Sequence, residues 1–287
     1  MSTFLGVLKA WVALARIQYP VMASSLVIVG ATIAGERLTL DLCLQALFVA
    51  PIVAGSNALN DYFDFPSDVA LGRNDRPLVS GKTKPNQVMA GSALLLATGL
   101  ALCLYFTAFL VVMTACLVLL GIAYDIFLKR TPVIGNIVIA ACNAVPLVYG
   151  NAVADQSFSS LRPVIIILAS LTFFASFGRE LMATVKDVEG DKRLKAFSLP
   201  MLVGVRPIVT FVSMLSILIV ALSPLPLLFL YSIPYAVLAS ASGALRLACA
   251  YSAFKDSSYS NLQRLGKYHT SGLLLGLLAF AALPLST

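Results

Sequence analysis

Long apolar stretches, separated by short polar segments, recur along the whole chain. Each stretch approaches the roughly 20 apolar residues that a helix needs to cross a bilayer. The pattern therefore predicts an all-α polytopic membrane protein. We predict nine transmembrane helices, at residues 10–33, 43–63, 87–106, 109–128, 134–150, 163–185, 207–223, 229–252 and 268–285.

Composition supports this interpretation. Of the 287 residues, 59% are hydrophobic and only 11% are charged, and the mean hydropathy is +0.92. Ordinary soluble domains are far less apolar than this. The first stretch contains Arg16 and Pro20 and has no clear small-residue cleavage site, so we interpret it as a span rather than a signal peptide. We expect residues 1–287 to form a single transmembrane domain.

Two acidic clusters follow even-numbered spans, so both should emerge on the same side of the bundle. In the first cluster, Asn60, Asp64 and Asp68 are spaced i, i+4, i+8 and would share one helix face. In the second, Asp187 and Asp191 repeat the i, i+4 spacing. Carboxylates this close repel one another unless divalent cations lie between them. Mg²⁺ commonly bridges a few carboxylates to the phosphates of a substrate.

Basic residues accompany both clusters. Arg73 and Arg76 follow the first cluster, Lys129 lies in the short loop after the fourth span, and Lys192 flanks the second cluster. Such cations could neutralise phosphate oxygens that the metal leaves free. An apolar bundle below this site suggests a lipid tail, and a polyprenyl diphosphate has both parts. Its allylic C–O bond can ionise once cations stabilise the leaving diphosphate.

The distribution of positive charge predicts the orientation. With the amino terminus inside, only Arg37 and Arg162 of the 20 Lys and Arg residues fall on the outer side, leaving 18 in inner loops or at inner ends of spans. The positive-inside rule places the amino terminus and both acidic clusters in the cytoplasm and the carboxyl terminus outside the cell membrane. We therefore attribute the net charge of +7 to membrane topology and expect no nucleic-acid partner.

The five cysteines all lie in apolar stretches without a CxxC pair, which argues against disulfides or a thiolate metal site.

The chain resembles the UbiA-type intramembrane prenyltransferases over roughly residues 16–207. Its first acidic cluster matches the family's NDxxDxxxD motif, and Arg73 to Gly81 is similar to the loop that follows this motif. Further matches are Tyr124-Asp125, Lys129, Gly135-Asn136, Arg179-Glu180, the segment 187–192 and Ser198-Leu199-Pro200.

The resemblance implies a Mg²⁺-dependent transfer of a prenyl chain from its diphosphate to a lipophilic acceptor. It also implies a central cavity capped on the cytoplasmic side by the loops that carry the acids. By matching position, the implied catalytic residues are Asp64, Asp68, Asp187 and Asp191. The implied metal ligands are these four together with Asn60 and Asp61. The implied substrate-binding residues are Arg73, Arg76, Tyr124, Lys129, Asn136 and Lys192.

Within the family, Arg179-Glu180 and the Asp-Val-Glu-Gly-Asp-Lys sequence at 187–192 look most like the archaeal digeranylgeranylglyceryl phosphate synthases. These enzymes alkylate the free hydroxyl of geranylgeranylglyceryl phosphate in ether-lipid synthesis. Thr184 and Lys186 depart from the pattern, because many relatives carry acids at these positions. Prenyltransferases that act on aromatic acceptors, such as 4-hydroxybenzoate in quinone biosynthesis, share much of the pattern and form the alternative.

Two classes without prenyl transfer compete with this interpretation. A metal or lipid transporter would place its binding residues near the bilayer midplane on broken helices, whereas these acids lie at one membrane face. A structural metal-binding membrane protein would explain the acids but leave the organised Lys and Arg residues without a role.

Overall fold

The computed structural model describes residues 4–157, 160–194 and 199–283, and every regular element within them is helical. The α-helices are α1 Phe4–Ala15, α2 Gln18–Ala34, α3 Leu40–Ala46, α4 Val49–Ala70, α5 Pro85–Cys103, α6 Ala108–Ile126, α7 Ile134–Asp155, α8 Pro163–Leu194, α9 Leu199–Val203, α10 Val205–Leu222, α11 Ile233–Lys255 and α12 Tyr259–Ala281. Short 3₁₀ turns lie at Leu128–Arg130 and Leu225–Leu228.

Each predicted span corresponds to one of these helices or to two that adjoin. The first span is the pair α1 and α2, bent by 53° at the break, and the second combines α3 with α4. In the described part of the chain, seven segments are long and apolar enough to cross a membrane, and the bent pair makes eight. The helix α12 supplies the last predicted span, although Arg264 and Lys267 make its first half polar. The all-α multi-pass fold is confirmed, and the count of nine is approximate.

The helix α2 lies between the two halves of the bundle and packs against α7, α4 and α12. Its crossing with α7 is very tight. A Cβ on Gly150 would lie 2.1 Å from the carbonyl oxygen of Val27, and one on Gly30 would lie 2.1 Å from that of Leu147. Only glycine allows backbones to approach this closely. The helices α4, α5 and α6 pack together in one half, and α8, α10, α11 and α12 in the other.

A shared apolar cluster shows which helix ends meet in the second half. Leu181 and Val185 near the carboxyl end of α8 pack with Val209 near the start of α10, Cys249 near the end of α11 and Leu262 near the start of α12. The carboxyl ends of α8 and α11 therefore lie at the same end of the bundle.

Candidate active site

The first acidic cluster lies on the last turns of α4, as the i, i+4, i+8 spacing predicts. Asp61 and Asp68 are only 3% and 2% exposed. The side chain of Asp64 is 35% exposed, so it is the most open carboxylate of the cluster. Buried carboxylates need partners, and the structure supplies them from two other segments.

Three arginines hold the two buried carboxylates. Arg16 Nη2 lies 2.5 Å and Arg76 Nη1 3.0 Å from Asp61 Oδ1. Arg73 Nη1 lies 3.1 Å from Asp68 Oδ1, and Arg76 Nε lies 3.7 Å from Asp68 Oδ2. Arg76 therefore bridges the two acids, which links both ends of the cluster through one guanidinium.

Local backbone structure explains how these arginines reach the acids. Arg16 lies at the break between α1 and α2 with φ of +47°, a conformation that is uncommon outside glycine. The bend turns its side chain toward α4. Arg76 belongs to the loop between α4 and α5, which is anchored by Leu78. This leucine is 5% exposed and packs against Leu14, Ala58 and Val88.

Lys129 comes to the same cluster from the 3₁₀ turn after α6. Its Nζ lies 2.7 Å from Asp64 Oδ1 and 3.9 Å from Asp125 Oδ1. The turn packs closely on the start of α7, because a Cβ on Gly135 would lie 2.8 Å from the carbonyl oxygen of Leu128. Glycine at position 135 thus allows the turn to present Lys129 to α4.

Asp125 is a site residue that the sequence-based assignment left out. It is 3% exposed, and its Oδ1 accepts a hydrogen bond of 2.6 Å from Asn60 Nδ2. The side-chain oxygen of Asn60 accepts no hydrogen bond from the residues that the structure describes, so it is available to a metal. The available signal was the spacing of Asp125, four residues before Lys129, on the helix that ends beside the cluster. Arg16, at the helix break, was also left out of that assignment.

The helix α8 approaches this cluster through Arg179 and Glu180. The two side chains are joined by a hydrogen bond, and the Arg179 guanidinium lies 5.9 Å from the ring centroid of Tyr19. Tyr124 of α6 lies within electrostatic range of Glu180 on α8 and of Asp64 and Asp125 at the first cluster.

Three predicted site residues lie near the end of α8, whose backbone continues helically to Leu194. The side chains of Asp187, Asp191 and Lys192 are outside the described residues, as is the side chain of Lys186. Thr184 donates a hydrogen bond to the carbonyl oxygen of Leu181. Asn136 lies in the first turn of α7, and its side chain forms no hydrogen bond with a described residue.

The described side chains offer some, but not all, of the oxygen ligands that a hard divalent cation needs. Asn60, Asp64 and Asp68 offer amide and carboxylate oxygens, which are the ligands that Mg²⁺ prefers. Within the described residues, however, no three Asp, Glu, His or Cys side chains converge as a complete metal site. A metal bound here would need oxygens from the end of α8 or from a phosphate.

An all-helical membrane bundle with oxygen donors and cations gathered at one end is suited to bind a metal ion and an anionic lipid substrate. The chain belongs to the UbiA prenyltransferase family, whose model matches residues 21–272. The family prediction is thereby confirmed, and with it the assignment of the chain as a prenyltransferase.

Two relatives cover nearly the full chain. The chain is 34% identical over 277 residues to the digeranylgeranylglyceryl phosphate synthase of Methanopyrus kandleri, covering 96% of this chain and 99% of the relative. It is 29% identical over 281 residues to the enzyme of that name from Archaeoglobus fulgidus, covering 96% and 95%.

Solved structures share the fold. A structure of digeranylgeranylglyceryl phosphate synthase in membranes superimposes with a TM-score of 0.75 at 28% identity, covering 98% of this chain and 99% of the other. A UbiA homologue from Archaeoglobus fulgidus bound to DMAPP and Mg²⁺ gives a TM-score of 0.62 at 19% identity, covering 95% and 99%.

Proposed function

We propose that this family member is a Mg²⁺-dependent enzyme that transfers a geranylgeranyl group from its diphosphate to geranylgeranylglyceryl phosphate. The observation that carries the proposal is a set of ion pairs between cations and oxygen donors. Lys129 pairs with Asp64, and Arg73 and Arg76 pair with Asp68. The acceptor rests on the relatives named above, which cover nearly the whole chain. We propose that residues 1–287 act as one transmembrane domain.

The chain's own residues divide the work of binding. Asn60, Asp64 and Asp68, with Asp187 and Asp191 of α8, would hold the metal, which supplies positive charge that stabilises the leaving diphosphate. Lys129, Arg73 and Arg76 would exchange their carboxylate partners for phosphate oxygens when the donor binds. Their pairing with acids before substrate arrives keeps these cations in position without leaving them uncompensated. The apolar bundle keeps water from the allylic centre.

We also place this site at the cytoplasmic face of the cell membrane, with the carboxyl terminus outside. The support is the charge asymmetry, because only Arg37 and Arg162 of the 20 Lys and Arg residues fall on the side opposite the acidic clusters in the nine-span arrangement. A site on that face would receive soluble metal from the cytoplasm and lipid substrates from the bilayer.

The acceptor is tested by competition. Purified protein with Mg²⁺ and geranylgeranyl diphosphate is given equal amounts of geranylgeranylglyceryl phosphate and 4-hydroxybenzoate, and products are measured by mass spectrometry. We expect the glyceryl ether to be prenylated faster, and EDTA to stop the reaction. Product from the aromatic acid alone would replace the proposed acceptor with an aromatic one. Transfer that continues in EDTA would show that the reaction does not depend on Mg²⁺.

We expect Lys129→Gln to slow turnover about tenfold or more, because one charge-assisted contact contributes roughly 1.5–3 kcal/mol and each 1.4 kcal/mol is a factor of ten in rate. The measurement is the steady-state rate at varied donor concentration. Lys84→Gln is the matched control, since Lys84 is exposed at the start of α5. If Lys129→Gln shows the same kinetics as the parent, this lysine does not bind the diphosphate and serves only to orient the chain in the membrane.

A further inference from the structure

One arginine lies deep within the helix bundle, away from the acidic clusters. Arg246 is near the middle of α11 and is 6% exposed, so its side chain does not extend to water at the membrane surface. It forms no hydrogen bond or ion pair with any residue that the structure describes.

The surroundings of Arg246 offer it little compensation. Nearby hydroxyls donate to backbone carbonyls, Ser242 to Gly272, Ser216 to Val212 and Thr172 to Leu168, and none of them carries a negative charge that could balance the guanidinium. A buried guanidinium without a counter-charge costs several kcal/mol in an apolar interior. An ionisable residue buried within a membrane bundle is therefore a candidate for binding a ligand that supplies the missing negative charge.

Arg246 lines a partly open apolar cleft between α2, α8, α10, α11 and α12. The cleft contains about 670 Å³ of unfilled space, counting the part that is open to the surroundings. Its other walls are mainly aliphatic and aromatic side chains, including Leu26, Leu171, Leu277 and Phe280. This lining favours a hydrocarbon chain.

A second, narrower cleft is lined by both Arg246 and Arg179. Arg179 is hydrogen-bonded to Glu180, and Glu180 is a charged neighbour of Tyr124 at the first acidic cluster. Cys249, which follows Arg246 by about one helical turn, packs with Leu181 and Val185 just beyond Glu180. Arg246 therefore lies outside the site that would hold the diphosphate, and Arg179 and Glu180 connect it to that site.

We propose that Arg246 binds the phosphate of the lipid acceptor, whose chain lies in the apolar cleft. This inference rests on the function proposed above. Guanidinium and phosphate form short charge-assisted hydrogen bonds, and burial strengthens them. The donor diphosphate and the acceptor phosphate then have separate sets of cations, with Lys129, Arg73 and Arg76 on the donor and Arg246 on the acceptor. Separate sets let two anionic lipids bind at the same time.

The test compares Arg246→Gln with the parent and with Lys255→Gln, which removes an exposed cation at the end of the same helix. Initial rates are measured at varied acceptor and at varied donor. Arg246→Gln should raise the acceptor KM at least about tenfold, as expected for one lost charge-assisted contact. The donor KM should change less than about twofold, because the donor's contacts are intact. An unchanged acceptor KM in Arg246→Gln would overturn the proposal.

Thermal unfolding provides a readout that does not depend on catalysis. Geranylgeranylglyceryl phosphate should raise the melting temperature of the parent more than geranylgeranylglycerol does, and Arg246→Gln should lose that difference. Without lipid, Arg246→Gln should be at least as stable as the parent, because it removes an uncompensated buried charge. A variant that is less stable than the parent without lipid, yet keeps the phosphate-dependent shift, would show that Arg246 is structural.

Phosphatidylglycerol separates the two sources of a lipid phosphate. If it stabilises the parent as much as the acceptor does, and Arg246→Gln abolishes both effects, the site binds bulk membrane lipid and the acceptor assignment is wrong. Failure of the proposed function is distinct from either result. In that case geranylgeranyl diphosphate with Mg²⁺ yields no product from the parent, while the phosphate-dependent shift at Arg246 can still be measured.

Discussion

Asp64→Asn should reduce prenyl transfer by about 100-fold or more while leaving the protein folded in the membrane. Even residues that only hydrogen-bond to the ligands of a metal cost roughly 10–100-fold when they are lost. Asp64 is the most open carboxylate on α4, and its described ion pair is with Lys129. The amide keeps the size of the side chain but removes the charge that would bind Mg²⁺. Turnover with geranylgeranyl diphosphate and the melting temperature are measured together.

Asp75→Asn is the matched control for this experiment. Asp75 lies on the exposed part of the loop between α4 and α5, close in sequence to the same cluster. It should transfer the prenyl group at the parent's rate. If Asp64→Asn also keeps the parent's rate, or if the parent remains active after EDTA treatment, the first acidic cluster does not hold a catalytic metal.

The periodic features of the site were predictable from the sequence. The spacing of Asn60, Asp64 and Asp68 requires only that the segment be helical, and the structure shows that it is. The position of Lys129 beside Asp64 follows from two neighbouring spans ending on the same side. Each of these inferences depends on local periodicity or on which membrane face a loop occupies.

Contacts that depend on tertiary geometry were not predictable in this way. Arg16 was interpreted only as a residue within the first span, yet the bend between α1 and α2 brings it to Asp61. Asp61 was predicted as a metal ligand, and the structure shows it paired with Arg16 and Arg76; its metal role stays a prediction. Arg246 carried no motif at all, and its significance comes from burial without a partner.

The two halves of the bundle differ in how they balance charge. In the half with α4, every buried carboxylate has a cation or an amide within hydrogen-bonding distance, as Asp61, Asp68 and Asp125 show. In the half with α11, a buried cation has no acid among the described residues. When the donor binds at the first site, its phosphate oxygens would replace the carboxylates that already pair with the cations. When the acceptor binds at Arg246, its phosphate would supply a counter-charge that the guanidinium lacks among the described residues. We therefore expect the two sites to respond oppositely to removal of a charge in the ligand-free protein.

The second large effect is expected for Arg76→Gln. Arg76 contacts both Asp61 and Asp68, whose side chains are 4% and 2% exposed. Loss of its charge removes the bridge between two buried carboxylates and, in the proposed mechanism, a contact with the diphosphate. The lost contact with the diphosphate, at roughly 1.5–3 kcal/mol, predicts a loss of about tenfold or more in kcat/KM for the donor, and loss of the bridge that positions Asp68 should add to it. The ligand-free protein should also melt at a lower temperature, because Asp68 then keeps Arg73 as its one described cation and Asp61 keeps Arg16.

Two further variants make this result specific to the bridging guanidinium. Lys82→Gln removes an exposed cation from the same loop and should match the parent in rate and melting temperature. Arg76→Lys keeps the charge but cannot contact both acids through a planar fork, so it should recover part of the stability and less of the activity. If Arg76→Gln melts at a lower temperature but keeps its kcat/KM for the donor, Arg76 only neutralises the buried acids. The diphosphate would then be held by Lys129 and Arg73 without it.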